Sequence, residues 1–230
     1  MNGIIDSNQK IVTSGLVLNY DAAQRRSYPT TGTAITDLSG TGNNGTLTNG
    51  PTFNSANGGT IVFDGTNDYI NCGSSISINP SALTYCAWIK GTAFTNAYIS
   101  VISKNEPLNT TATLLIKSNG KLALYIYANA IVNYDGTGVN TLSVNNWYHL
   151  CLTYSSAAGL KGYVNGSVDG SAAANGAITT SSQPVWIASH PSIPGRNFNG
   201  NVSNAQIYNR ALSATEILQN YNATKSRFGL

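Results

Sequence analysis

An all-β fold, antiparallel strands packed as a sandwich, follows from three observations on this 230-residue chain. Apolar runs are short and are broken by clusters of Gly, Asn, Pro and Ser, the punctuation of hairpins. Several runs alternate with a period of two, which sends successive side chains to opposite faces of a strand. Two Asn-Gly pairs, Asn119-Gly120 and Asn165-Gly166, sit between apolar runs, where both residue types accept the positive φ of a two-residue hairpin turn. The length suits a single sandwich and is enough to bury a large core without disulfides or metals.

In chain order, strands are expected over residues 15–21, 60–63, 69–72, 83–89, 98–103, 113–116, 122–127, 147–154, 161–164, 185–188 and 202–208. The alternation is clearest in LALYIYA, which puts Leu122, Leu124 and Ile126 on the core face and Ala123, Tyr125 and Tyr127 on the other. One helix is predicted near the end: Ser213 with Glu216 three residues on makes a capping box ahead of Ile217, Leu218 and Tyr221. Residues 1–14 read as an N-terminal arm outside the sandwich, of a kind that often serves an interface, and 15–230 as one domain.

Composition excludes several function classes. Only 9% of residues are charged and the net charge is +3, so the surface is made of Asn, Ser, Thr and Gly. Basic residues are scattered, the closest pair being Arg25 and Arg26, whereas nucleic-acid binding needs clustered Lys and Arg to neutralise phosphates. Asp6 and Lys10 interrupt any signal-peptide core, and no run approaches the roughly 18 apolar residues of a membrane span, so synthesis in the cytosol without membrane insertion is expected. Cys72, Cys86 and Cys151 are odd in number and lack metal-type spacing, which reads as buried reduced thiols.

A family resemblance covers nearly everything after residue 14. Its two most informative pieces, widely separated in the chain, are FDGTNDYI at 63–70 and GNVSNAQIYNRALSATEI at 200–217. Between and before them stand GLVLNYDA at 15–22, SYP at 27–29, DLSGTGNNGTLTNGPTF at 37–53, NNWYHLCLTY at 145–154 and GYVNG at 162–166, in family order. Together they resemble the laminin G-like branch of the concanavalin A-like lectin and glucanase superfamily. That implies a two-sheet antiparallel jelly-roll β-sandwich and a role in binding or display. The DA…SYP…DLSG…NNGTL series is most similar to laminin G-like proteins of tailed bacteriophages and related viruses, where such domains occur on virion surface and fibre proteins. The implied protein is a capsid decoration or tail/fibre component on the virion surface, made in the host cytoplasm, with other virion proteins and copies of itself as partners.

Two site readings follow. Many relatives hold calcium with loop oxygens, and hard cations favour such clusters, so the resemblance implies Asp37, Asn43, Asn44, Asp64 and Asp68 as calcium ligands. From the residues alone, Asp64-Gly65 and Asn67-Asp68 are also ordinary turn chemistry. A host-surface glycan would be held by aromatic platforms and amides, and the candidates are Tyr125, Tyr127 and Trp186 with Asn129 or Asn133. The alternative is that these aromatics cover the opposing sheet. Trp186 is the more open case, because Val185 and Ile187 share the inward face and leave it outward.

Trp88 and Trp147 lie among core-like alternations, His149 reads as a structural strand residue, and His190 sits in a loop with no partner for zinc. Arg210 is expected to make a local ion pair before the helix. A glycosidase needs two carboxylic residues flanking the scissile bond. Here the only glutamates, Glu106 before Pro107 and Glu216 in the capping box, have no acidic neighbour at the Glu-x-Asp-x-x-Glu spacing of the superfamily's glucanases. A nucleophile elbow and a phosphate-cradling loop are also missing from the sequence, so a non-enzymatic protein is expected, with a free carbohydrate-binding module as the alternative to the virion role.

Overall fold

A computed structural model describes residues 10–75, 81–105, 110–128, 130–179 and 182–230. Its strands form two antiparallel sheets packed face to face, the all-β sandwich with one short C-terminal helix that the sequence predicts. The first sheet holds β1 (Leu16–Asp21), β4 (Thr52–Asn54), β5 (Thr60–Asp64), β7 (Leu83–Ala93), β12 (Tyr148–Ser155), β13 (Gly159–Val164), β14 (Ser167–Ala172) and β16 (Asn199–Tyr208). Its order is β14-β13-β12-β7-β16-β5-β4, and β1 also pairs with β16. The second holds β2 (Ala34–Ile35), β3 (Gly45–Thr48), β6 (Tyr69–Asn71), β8 (Tyr98–Asn105), β9 (Thr110–Lys117), β10 (Leu122–Ala128), β11 (Ala130–Asp135) and β15 (Val185–Ile187). Its order is β11-β10-β9-β8-β15-β6-β3-β2.

The core lies between the sheets. Leu122, Leu124 and Ile126 of β10 and Leu150, Leu152 and Tyr154 of β12 belong to one buried cluster, with Leu122 and Leu124 packed over Gly162 of β13, and each fully buried side chain of this size contributes about 1.5–3 kcal/mol. The five strands absent from the sequence reading, β2, β3, β4, β11 and β14, are short, Gly-, Thr- and Asn-rich or half-exposed. Pairing with neighbours fixes them where side-chain pattern does not.

The two predicted hairpins form with different turns. Asn165 (φ 51°) and Gly166 (φ 80°) join β13 to β14 as a two-residue turn with both φ positive. At the other, Gly120 (φ 74°) donates its N–H to the Lys117 carbonyl and Lys117 N–H pairs with the Lys121 carbonyl, so the loop has three residues, 118–120, and only Gly120 takes the left-handed conformation. The two-residue turn expected there is therefore corrected to the three-residue form, a turn followed by a glycine bulge.

The outer face of the first sheet is covered. Helix α1 (Ala214–Thr224) begins at the expected capping box, with Ser213 Oγ accepting from the Glu216 N–H at 3.3 Å and Glu216 Oε2 accepting from the Ser213 N–H at 2.9 Å. Arg210 grips the same carboxylate through both terminal nitrogens, at 2.6 and 2.9 Å, and holds Glu216 well below its ordinary range, at about 2. Beneath α1 and the turn Lys225–Phe228, Trp88 stacks on Phe228 with ring centres 4.1 Å apart and on Tyr221 at 5.7 Å. Burial pushes His149, packed between Trp88 and Tyr221, down to about 3. Trp147 is half-buried against Phe228 and donates to Asn57 Oδ1. Of the N-terminal arm, residues 1–9 lie outside the described residues. The remainder runs along α1: Val12 is buried, its N–H donates to Asn220 Oδ1 at 2.8 Å, and its carbonyl accepts from the Tyr208 hydroxyl at 3.0 Å.

The thiol expectation needs correction. Cys86 of β7 and Cys151 of β12 stand directly opposite in the ladder, with Cα atoms 4.2 Å apart, and are joined in a disulfide. Only Cys72 is a free thiol, and burial pushes it up to about 12.

Candidate functional site

No helix among the described residues covers the second sheet, whose outer face carries a cross-strand row of polar and aromatic residues with its middle members, Ser103 and Thr113, fully buried. Cross-strand partners share a face, and the register runs Asn133 to Tyr125, Tyr125 to Thr113, Thr113 to Ser103, Ser103 to Trp186, Trp186 to Asn71 and Asn71 to Thr46. Tyr125 and Trp186 therefore stand on one rung, three strand spacings or about 14 Å apart. Between them the hydroxyls of Ser103 and Thr113 are buried without a hydrogen-bond partner.

At the Trp186 end the row opens into a cleft of about 450 Å³. Val185 and Ile187 point into the core with no exposed surface, so alternation turns the Trp186 indole outward, where it stacks on Tyr69 of β6 with ring centres 3.9 Å apart and planes 21° apart. The far wall is the loop from Ser189 to Asn197, and the near wall is Asn49 with the Thr66–Asn67 turn. The Asn197 amide ties the walls together by donating to the Thr66 carbonyl, and each wall is braced within itself, Asn49 donating to the Asn67 carbonyl at 2.9 Å and the Ser189 hydroxyl to Asn197 Oδ1 at 2.6 Å.

His190 is the cleft's imidazole. Its Nδ1 accepts from the backbone N–H groups of Ser192 (3.3 Å) and Ile193 (3.1 Å), which leaves the proton of the neutral ring on Nε2. Burial, helped by the charge of Arg196, pushes it down to about 4, so it is neutral at pH 7. Two buried N–H donors on lining residues, His190 Nε2 and Trp186 Nε1, have no acceptor among the described residues. Among the described residues no carboxyl side chain lines the cleft.

The Tyr125 end is an interlocked cluster. Tyr125 and Tyr98 meet edge to face at 5.8 Å, and their hydroxyls donate to Asp135 at 3.3 and 3.2 Å. Lys117 pairs with the same carboxylate at 3.2 Å. Burial and these neighbours raise the Tyr125 phenol above its ordinary value. Tyr127 is half-buried one rung on, opposite Ile131, and Asn133 is exposed beside Tyr125. Asn129 lies outside the described residues, as does Glu106. Tyr69, His190, Asn49 and Asn197 escape sequence reading, because three distant segments and a loop without regular pattern supply them.

The oxygen-bearing residues implied for calcium fall into two networks. Asp37 is buried, and its carboxylate accepts from the N–H groups of Asn19, Ser39 and Asn43 and the hydroxyls of Ser39 and Thr41, at 2.7–3.2 Å. Burial pulls its carboxyl up, but these hydrogen bonds outweigh that and leave it below its ordinary value. Asn44 Oδ1 accepts from the Asp37 N–H, and the Asn43 side chain donates to the Val17 carbonyl. Asp64 and Asp68 flank the turn beside the cleft: Asp68 Oδ2 accepts from the Asp64 N–H, and Asp64 Oδ1 from the Thr66 N–H. Burial pushes Asp68 up and the Asp64 charge adds to it. Carboxylate oxygens of Asp37, Asp64 and Asp68 do not converge within 4.8 Å of one another; among the described residues the one cluster that does, Cys86, His149 and Cys151, has its sulfurs in the disulfide. All five residues together do not fit one cation.

Comparison with known proteins decides the family. Residues 64–218 match the family model described as the concanavalin A-like lectin/glucanases superfamily. The chain belongs to this superfamily. Solved structures share the fold at low identity. The binding domain of Paraclostridial Mosquitocidal Protein 1 superposes with a TM-score of 0.70 at 19% identity, over 91% of this chain and 52% of that one. Domain 4 of AbnA, an extracellular arabinanase of Geobacillus stearothermophilus, gives 0.70 at 17% over 90% and 98%. The Trypanosoma rangeli sialidase gives 0.71 at 14% over 98% and 36%. The present chain thus spans about half of the mosquitocidal domain and about a third of the sialidase, but nearly all of the arabinanase domain. No curated protein sequence matches it.

Proposed function

We propose that this superfamily member is a non-enzymatic glycan-recognition domain whose binding surface centres on the Trp186 cleft. The carrying observation is the outward Tyr69–Trp186 stack at the floor of an open cleft walled by carboxamides and buried N–H donors. Aromatic rings offer an apolar face to a sugar ring, and amides and N–H groups offer directional partners to its hydroxyls. A cleft without a carboxyl side chain lacks the acid and base of glycoside hydrolysis. The structure of AbnA domain 4, solved in complex with arabinotriose, supports the assignment by likeness of fold. Retention of purified protein on immobilised host-surface polysaccharides tests it. Trp186→Ala should weaken binding by about 2 kcal/mol, or roughly thirtyfold, as for a central aromatic anchor. Tyr125→Ala with Tyr127→Ala tests the far end of the row. Unchanged retention by folded variants of both ends would remove the surface from the proposal.

The finer reading places the domain on a virion surface, as a capsid decoration or fibre component docked by its arm to other virion proteins or to copies of itself. The DA…SYP…DLSG series and the sparsely charged surface support it. Mass measurement in solution tests it, with residues 1–9 removed rather than 1–14, because Val12 belongs to the packing of α1. A strict monomer indifferent to the deletion, failing also to bind particles, would favour a free carbohydrate-binding module.

A further inference from the structure

The chain has five arginines, and their surroundings differ. Arg25 and Arg26 are exposed, Arg210 is paired with Glu216, and Arg227 is paired with Asp21 at 3.1 Å. Arg196 is half-buried, lies over the Tyr98 ring with its guanidinium carbon 5.1 Å from the ring centre, and has no carboxylate or hydrogen-bond acceptor among the described residues. Its backbone is pinned, since its carbonyl accepts from the Ser100 N–H at 2.9 Å. None of its nitrogens is among the buried unpartnered atoms, so the charge stays open to solvent and is free to meet a ligand anion.

Position gives the orphan charge a use. Gly195 and Asn197, its chain neighbours, line the cleft, while Arg196 itself turns to Tyr98 and so stands between the Trp186 cleft and the Tyr125 end of the row. The acid nearest this end, Asp135, is occupied by Lys117, Tyr98 and Tyr125. Asp64 and Asp68, behind the opposite wall, accept from backbone N–H groups of their own turn. The planar fork of five N–H donors matches a carboxylate in bidentate fashion.

We infer that the glycan taken by this surface is acidic, and that Arg196 receives the carboxylate of a uronic or related acidic sugar while Trp186 carries an adjoining ring. This rests on the glycan reading and narrows its ligand class. The experiment measures retention on polygalacturonate, alginate, hyaluronan and polysialic acid, each beside its carboxyl-reduced form, with neutral glucans and dextran sulfate alongside. The expected result is an acidic polymer held at least tenfold more tightly than its reduced form, with that preference lost in Arg196→Gln and partly kept in Arg196→Lys, both folded by near-ultraviolet circular dichroism. Loss of one charge-assisted pair corresponds to roughly ten- to a hundredfold. Equal retention of acidic and reduced forms, or of neutral glucans alone, overturns the inference and leaves the glycan reading standing. An acidic preference that Arg196→Gln does not alter overturns the role of Arg196. Binding that follows dextran sulfate equally and vanishes with modest salt overturns carboxylate recognition in favour of diffuse attraction. Retention of nothing, by wild type and Trp186→Ala alike, overturns both readings.

Discussion

Reducing the Cys86–Cys151 disulfide should cost this fold a large part of its stability. With the two cysteines 65 positions apart in sequence, loop-closure entropy assigns the crosslink about 4 kcal/mol. For a chain of this size each kcal/mol moves the melting temperature by about 2–4 °C, so a loss of about 8–16 °C is expected. The bond lies beneath α1 among Tyr163, Tyr208, Leu212 and Ile217, where a reductant reaches it only after the helix lifts. Reduction is therefore done in urea, and the chain is refolded with dithiothreitol before urea and thermal titrations against the oxidised protein. Cys86→Ala with Cys151→Ala should approach the reduced wild type. Three reactive thiols in the untreated, denatured protein would refute the crosslink itself. A formed crosslink whose reduction shifts stability by less than about 1 kcal/mol would refute the entropic reasoning.

Two further outcomes are expected. His149 titrates near 3 in the folded chain against 6.5 ordinarily, and His190 near 4. Between these values the unfolded state binds more protons, so stability is full above about pH 6.5 and falls as pH drops toward 3. Unfolding in urea between pH 6.5 and about 5, above the carboxylate range, should show this slope, and His149→Gln should flatten it; an unaltered slope would exclude His149 as its source. Gly200 has φ 144°, and a Cβ there would lie 2.2 Å from the Lys90 carbonyl oxygen and 2.9 Å from Gly91 Cα, both backbone. Gly200→Ala should cost more than about 2 kcal/mol, because the β7–β16 ladder must part to admit it; a midpoint within error of wild type would show that the ladder yields cheaply.

What the sequence made legible follows how local each signal is. The capping box at Ser213, the turn at Asn165-Gly166 and the alternation of β10 each depend on residues within a few positions of one another, and each is present in the fold. The outward turn of Trp186 was readable for the same reason, from its two neighbours. Cys86 and Cys151 gave no such signal, because only the β7–β12 register brings them opposite. The cleft was illegible as a whole: Asn49, Tyr69 and His190 meet only when β3, β6 and β15 become neighbours. Arg196 looks in sequence like any loop arginine, and its unmet donors are a property of its surroundings.

A helix over one sheet, with none among the described residues over the other, gives the molecule a handle and a working side. Val12, near the start of the described chain, and Phe228, near its end, both pack on the outer face of the first sheet. An attachment made beside Val12 or Phe228 lies on that side, while Tyr125 and Trp186 face the other way. A tether or particle attached there would leave the Trp186 cleft open on the opposite face.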